Sequence, residues 1–423
     1  MIQEKTNTAQ QIIDAISSSA GKVNFINDSA LSNAFLYLEN KGIPTNKHED
    51  YKYCNLDAIL KRDFKKLSQK LNVVSSINEF KLADTFTLVY VNGNYSESLS
   101  DKPILKGLHI NSFSNLDAVG KNIITSQADV KKDAFIALNT AFSGSGIHLK
   151  IEKNNRIQVP IHIIYVSSTE EEAFINPRNI IEICENSEAT IIEHQITLGK
   201  GKTFTNFLSE KLVRENAKLI SYTLQNEKEN GYSVNTNHVK TEGNSKYENT
   251  TITLSGQLVR NNHNIIISGE NSEANLNGLF VIGGNELVDN HTLMDHQVPN
   301  CQSNELYKGI IKDKSTGVFN GKIFVRKDAQ KTNAYQSSKN ILLSDDAVIN
   351  TKPELEIYAD DVKCSHGTST GKIDDSAMFY LNARGIGKET AKRILLNAFA
   401  KEIIDKIDVV SLKEFVESKL GFI

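Results

Sequence analysis

The chain has no tryptophan, only four cysteines and no surplus of either charge across its 423 residues. Each shortage narrows the range of functions. Lys and Arg number 48 against 51 Asp and Glu, a formal charge of −3. That is too little to make the basic face a nucleic-acid or anionic membrane surface demands. No apolar run approaches the roughly 18 residues that cross a bilayer. Residues 1–10 lack the apolar stretch of a secretory signal, so a cytoplasmic location is expected. Cys54, Cys184, Cys301 and Cys364 lie 63 or more residues apart, with no Cys-x-x-Cys pair. This spacing argues against a dense disulfide framework and against a four-cysteine cluster within one chain, and it fits reduced thiols.

A chain of this length buries a large core and divides into two or three domains. Residues 10–18 and 29–40 carry apolar residues at helical spacing, with Ser29 or Ser32 as the cap of the second helix and Pro44 ending it. Residues 84–125 mix strand-like runs with the turn signal Asn92-Gly93. From about 145 to 370, short β-branched runs alternate with Asn, Gly, Ser and Asp, and helical periodicity is nearly absent. Asn277-Gly278 is echoed by Asn320-Gly321, and Asn290 by Asn333, both at a lag of 43 residues. The shared lag reads as two coils of about 20 residues each, with Asn and Gly at the corners, which suits a parallel β-helix. A β-sandwich is the alternative. After Ile373 the helical pattern returns. Asp374, Asp375 and Ser376 supply caps and first-turn acids for a helix over 377–384. Gly385-Ile386-Gly387 breaks the chain. Ala391, Ile394, Leu395, Ala398, Phe399 and Ile403 then line one face of an amphipathic helix over 388–405, and 411–420 forms a last short one. The expected division is a helical or mixed N-terminal domain over 1–130, a β-helix core over 131–372 and a helical C-terminal domain over 373–423.

Cys364 and His366 stand two residues apart in this transition. On a strand such residues face the same side, and both donors suit iron, copper or zinc. Two ligands are too few for a closed metal site, so the pair is either part of a larger site or a buried Cys beside a surface His. Asp289, His291, Asp295, His296 and Cys301 also look like metal ligands. The two histidines are five apart, however, which on a strand turns them to opposite faces, and a solvated turn is expected. Arg384 to Ala391 resembles the hairpin of helix–hairpin–helix DNA-binding modules, but the slight acidity and single copy favour a plain corner with Gly385 left-handed. Gly201-Lys202-Thr203 ends like a phosphate loop, with Ile196 where the first Gly belongs. Gly367-x-Ser369-x-Gly371 spells a nucleophile elbow, yet no His follows Ser369, and a polar loop is expected.

Longer words carry more information. Asn176-Pro177-Arg178-Asn179 precedes a strand, residues 308–313 read Lys-Gly-Ile-Ile-Lys-Asp, and 318–321 read Val-Phe-Asn-Gly. The longest run, 351–367, is Thr-Lys-Pro-Glu-Leu-Glu-Ile-Tyr-Ala-Asp-Asp-Val-Lys-Cys-Ser-His-Gly, followed by Ile373-Asp374 and Phe379-Tyr380-Leu381-x-x-Arg384-Gly385. Residues 44–53 are similar to a Lys-x-Glu-x-Trp-Lys-Tyr element, with Tyr51 in place of its Trp. Together these words, covering roughly 40–405, resemble the SufB/SufD family of scaffolds from the SUF iron–sulfur cluster assembly machine. Residues 353–357 lack the cysteine of the SufB branch, and Gly367 stands where that branch has Glu. Both departures resemble the SufD branch.

The resemblance implies a mainly β fold, a right-handed parallel β-helix flanked by helical domains, in a scaffold without turnover of its own. It implies pairing with SufB through the last strands, with Glu354, Glu356 and Tyr358 at the contact. It also implies binding of the SufC ATPase through Arg384, Gly385, Ile386, Gly387, Ile394, Leu395, Ala398 and Phe399. His366 matches the family histidine that faces the SufB cysteine and helps hold a transient iron–sulfur cluster. Cys364 is the second candidate ligand, with packing beside His366 as its other reading. No permanently bound cofactor is expected; the family complex is also linked to a reduced flavin, which no residue of this sequence locates. A homodimer is expected where SufB is absent. The alternative is a stand-alone β-helix enzyme acting on a polysaccharide or small molecule; such enzymes are usually secreted and rich in exposed aromatics, which this chain does not match.

Overall fold

The computed structural model describes residue 14 and residues 26–62, 64–66, 74, 76–102, 105–113, 116, 124 and 126–420. The helix expected over 10–18 lies outside the described residues, Asp14 excepted. Two long sheets face each other. One runs in the order β4 (Leu108–Ser112), β5 (Ser145–Ile151), β8 (Pro177–Ile183), β10 (Thr203–Val213), β12 (Gly231–Thr241), β14 (Leu258–Ile267), β16 (Leu287–His296), β18 (Thr316–Val325) and β20 (Val348–Ile357). The short β1 (Lys65–Lys66) and β7 (Ala173–Ile175) pair beside it. The other sheet runs β3 (Asn94–Tyr95), β2 (Phe86–Val91), β6 (Ile161–Ser167), β9 (Glu188–Thr197), β11 (Lys218–Asn226), β13 (Lys246–Ser255), β15 (Glu273–Ile282), β17 (Gln302–Ile311), β19 (Thr332–Leu342) and β21 (Val362–Gly371). From β8 onward every chain-adjacent strand switches sheet and pairs in parallel with the strand one coil earlier. This is a parallel β-helix with two strands per coil.

Its period corrects the sequence reading. Glu273 lies against Gln302, and Gln302 against Asn333, so one coil takes about 30 residues. The 43-residue echo spans one and a half coils and joins equivalent positions on opposite sheets. Asn277-Gly278 and Asn320-Gly321 are not corners; both lie mid-strand, in β15 and β18. Glycine is needed there because a Cβ on Gly278 would meet the Tyr307 ring, and one on Gly321 the Gln336 amide.

The corners do carry asparagine. Asn154, Asn186, Asn216, Asn244, Asn271 and Asn300, each with φ between 54 and 61°, turn the chain from one sheet to the other, one per coil. Asn tolerates this left-handed conformation better than any other residue with a Cβ. The corner side chains also bond along the axis: Asn186 Nδ2 donates to Asn154 Oδ1 at 3.0 Å, and Asn216 Nδ2 to Asn186 Oδ1 at 3.2 Å.

Helices cover the outer faces, which explains strands buried on both sides. Helix α1 (Asp28–Lys41) is capped by Asn27, whose side chain accepts from the Ala30 amide, rather than by Ser29 or Ser32. The short α2 (Asp57–Leu60) and α3 (Ala134–Phe142) join it against Phe174, Phe204 and Tyr232 of the first sheet. At the C-terminus α4 (Asp375–Ala383), capped by Asp374 as expected, is followed by α5 (Lys388–Ile404) and α6 (Val410–Leu420). Helices α5 and α6 pack Leu396, Ala400, Ile403, Leu412 and Val416 onto Tyr222, Ile252, Leu279 and Ile310 of the second sheet. The buried face of α5 only partly matches the one the spacing picked out: Ala391 and Ile403 are buried as expected, but Leu395 and Phe399 are half-buried and Ile394 and Ala398 exposed, while Leu396, Ala400 and Ile404 complete the core face. The helix is apolar on more than one side, so periodicity could not tell its core face from a free one. Among the described residues no helix is long and apolar enough to cross a membrane.

The two ends of the β-helix differ. At the N-terminal end β4 and β3 pair antiparallel with β5 and β2 and close the stack. At the C-terminal end β20 and β21 are the last strands of their sheets. The corner argument yields a test in urea unfolding of Asn216 variants. Asn216→Gly is expected to be near neutral, whereas Asn216→Val, forced to positive φ, is expected to lose about 1–2 kcal/mol. Equal losses would mean that the backbone at this corner does not demand a left-handed residue.

Candidate functional site

The last coil holds most of the residues singled out by the sequence. On β21, Cys364 packs against the interior of the β-helix, and Thr368 Oγ1 donates to Thr351 Oγ1 of β20 at 3.2 Å across the coil. Alternation places His366 between them on the same inward side. It is exposed, because no further coil stacks on it. The Cys364 thiol is half-buried, and burial raises its pKa. A thiol pushed that way is a poorer thiolate donor. The segment 367–371, expected as a polar loop, is exposed strand instead. It stays extended because Ser337, Thr368's neighbour Ser338, and Lys339 to Ile341 of β19 pair with it residue by residue.

On β20, Leu355 packs inward, so Glu354 and Glu356 point outward. Both are engaged within the chain: Lys352 Nζ bonds Glu354 at 2.7 Å and Glu49 at 3.0 Å, and Lys322 Nζ bonds Glu356. Tyr358 follows the strand, 60% exposed, with its ring 5.4 Å from that of Phe324. Among the described residues no three His, Cys, Asp or Glu side chains converge as a metal-binding group.

Beneath His366 the interior is polar, which the sequence reading missed. In register, Glu305 stacks on Gln336 and Gln336 on His366. Thr292 Oγ1 donates to Glu305 Oε2 at 2.6 Å, and Gln336 Nε2 donates to the same oxygen at 3.1 Å. Burial, only partly offset by these two hydrogen bonds, raises the Glu305 pKa to about 7. Glu305 Oε1 and Gln336 Oε1 are buried without a partner. The signal was faint: in β17, Ser303, Glu305 and Tyr307 share a face with nothing in their polarity to mark it as the inside.

The other candidates resolve differently. Asp289, His291, Asp295 and His296 lie on β16, not in a solvated turn. As the spacing required, the histidines face opposite ways: His296 is buried and bonds Ser303 Oγ at 2.9 Å, while His291 bonds Asp289 at 2.9 Å on the outer face. The strand is held because Asp289 pairs with buried Arg260, whose guanidinium lies 3.9 Å over the ring of Tyr51. That contact explains the aromatic in the 44–53 element. Thr203 opens β10 with no helix behind it, so no phosphate loop forms. Gly385, with φ of 81°, makes the plain corner between α4 and α5. Helix α4 has no buried residue; Phe379 and Tyr380 are 74% and 55% exposed, and Arg384 lies 4.6 Å over the Tyr380 ring. Ile394 of α5 is 42% exposed, so apolar side chains stand uncovered on both helices that meet at Gly385, Ile386 and Gly387.

Residues 165–399 match the family described as SUF system FeS cluster assembly, SufBD core domain, and residues 8–163 match the SufBD protein N-terminal region. The chain belongs to the SufBD family. Its role lies in iron–sulfur cluster assembly. Among SufBD relatives it is 31% identical to the iron–sulfur cluster assembly protein SufD of Escherichia coli K12 over 383 residues, 90% of this chain and 89% of that one. It is 28% identical to a SufBD family protein of Synechocystis over 386 residues, covering 88% and 85% of the two chains. With the SufD of Bacillus subtilis it shares 26% over 331 residues, 75% and 74% of each.

Glu305 provides a pH test. A carboxyl whose folded pKa is raised from 4.5 to about 7 lends stability that is complete below about pH 4.5, declines as pH rises to 7 and is flat above it. Glu305→Gln lacks this dependence. Relative to wild type it is expected to gain about 2–3 kcal/mol between pH 5 and pH 8 in urea unfolding. A difference between the two proteins that does not change with pH would show Glu305 to be ordinary.

Proposed function

We propose that this chain is a non-catalytic, cytoplasmic scaffold that pairs with SufB through its last coil and binds the SufC ATPase through α4 and α5. The iron–sulfur cluster is its cargo, not a resident cofactor. The observation that carries the reading is the C-terminal end of the β-helix, where two ten-residue strands end their sheets with His366 at the mouth. Strand edges of that length invite another strand. Such pairing would bring a second chain's ligands to His366, completing a site that one chain cannot. A neutral imidazole is a fair iron ligand. Cys364, half-buried against the interior, is assigned to packing first and to ligation only if the partner uncovers it. Glu354, Glu356 and Tyr358 then lie at the rim of the contact. Where SufB is absent, the same edges serve a second copy of this chain.

For SufC the support is the uncovered apolar side chains of Phe379, Tyr380 and Ile394 on the two helices that meet at the Gly385–Gly387 corner. Leu395, Ala398, Phe399 and Arg384 are assigned with them.

Three outcomes are expected. Co-expressed with SufB and SufC, the chain should co-elute with both in size exclusion; failure to associate would count against the scaffold reading. In the purified complex, His366→Ala should leave assembly intact but lower iron and sulfide after anaerobic reconstitution, and unchanged contents would remove His366 from the site. Phe379→Asp combined with Ile394→Asp should weaken SufC binding by about tenfold or more while SufB is retained, since each buried apolar side chain is worth about 1.5–3 kcal/mol. Undiminished SufC binding would move that contact elsewhere.

A further inference from the structure

We infer that Gln336 is the positioning residue for His366: its side-chain carbonyl accepts the N–H of one imidazole nitrogen and leaves the lone pair of the other turned toward the open end of the β-helix. The inference rests on the reading of His366 as a ligand and names what orients it.

The geometry comes from the stack. Gln336 is 3% exposed, and its Oε1 has no partner. Which end of the amide is oxygen follows from its neighbours: the NH₂ donates to Glu305 Oε2, itself held by the Thr292 hydroxyl. The amide fills the space a side chain at residue 321 would take, so Gly321 makes room for it, and the Glu305 bond holds it there. The next inward residue in register is His366, one strand spacing away. Competing acceptors are few. Thr368 and Thr351 bond each other, and Pro353, in register with Gly321 on the facing strand, carries no polar side chain. Among the described residues the His366 ring makes no hydrogen bond, and the contact requires only rotation about the side-chain torsions of this exposed residue. A histidine that ligates metal through one nitrogen commonly donates from the other, and that donation sets its tautomer. Glu305, Thr292 and Gly321 would thus act through Gln336 to hold one nitrogen of His366 free.

The test reads the tautomer directly, in the metal-free full-length chain. Ring ¹⁵N shifts of His366, assigned by their loss in His366→Asn, are measured near pH 8.5, where a free imidazole is neutral. Removing the acceptor in Gln336→Met should change the ratio of the two tautomers by about fivefold, the effect of one net hydrogen bond. The swapped variant Glu305→Gln/Gln336→Glu keeps both the internal bond and an acceptor for His366, and should keep the wild-type bias or strengthen it, since a carboxylate accepts more strongly than an amide. Equal ratios in wild type and Gln336→Met overturn the inference. So does a swapped variant that behaves like Gln336→Met. A wild-type ratio equal to that of an unstructured histidine peptide overturns it without any variant, even if Gln336→Met fails to fold. Because no metal or partner is present, these outcomes stand apart from the iron and sulfide assay that decides the ligand role.

Discussion

In-register parallel stacking of one coil on the next is the constraint on which the rest depends. Each strand takes its alignment from the strand about 30 residues earlier, so an inward residue continues an inward column. The asparagine corners allow the repeat, since a left-handed residue at each switch of sheet returns the chain to the same register. The column of Leu276, Glu305, Gln336 and His366 is a product of that repeat, although these residues are far apart in sequence. So is the exposure of His366, which would be core if another coil followed.

The interior is not an apolar rod. Lys211 lies 2.5 Å from Glu193 and is fully buried with it; on the outer face of the first sheet, under α3, Arg178 likewise pairs with buried Glu210. Charges removed from water need such partners, because an isolated buried ion costs several kcal/mol. Glu305 has no cation beside it, only a hydroxyl and an amide, so its carboxyl holds its proton more tightly. Toward the last coil the interior thus changes from paired charge to a neutral hydrogen-bonding column that ends in an imidazole.

Much of this was legible in the chain. Asp374 as a helix cap, Gly385 as a corner, the all-β texture of the middle and the opposed histidines on β16 all follow from local rules of capping, φ and alternation. The coil length was not legible. Asn277-Gly278 and Asn320-Gly321 look like corner signals, but their glycines make room for Tyr307 and Gln336, side chains from elsewhere in the stack. The buried face of α5 was read only in part, through Ala391 and Ile403, for a related reason. Leu396 and Ile394 are equally apolar, and only the underlying sheet decides which is covered. The value of Tyr51 depended on Arg260, over two hundred residues away, and local pattern carried no trace of it.

The sequence by itself determined the elements and the chemistry on offer: β-branched runs that become strands, asparagines that become corners, and a Cys and His two apart that share a strand face. Those properties are set by neighbours within a few residues. Only the tertiary structure decided that His366 stands at an open mouth while Cys364 packs against the core, and that Gln336 lies beneath the imidazole with an unpaired oxygen. Burial and partnership arise from residues about one coil apart or more, and the register between coils is a property of the stack, not of any segment within it.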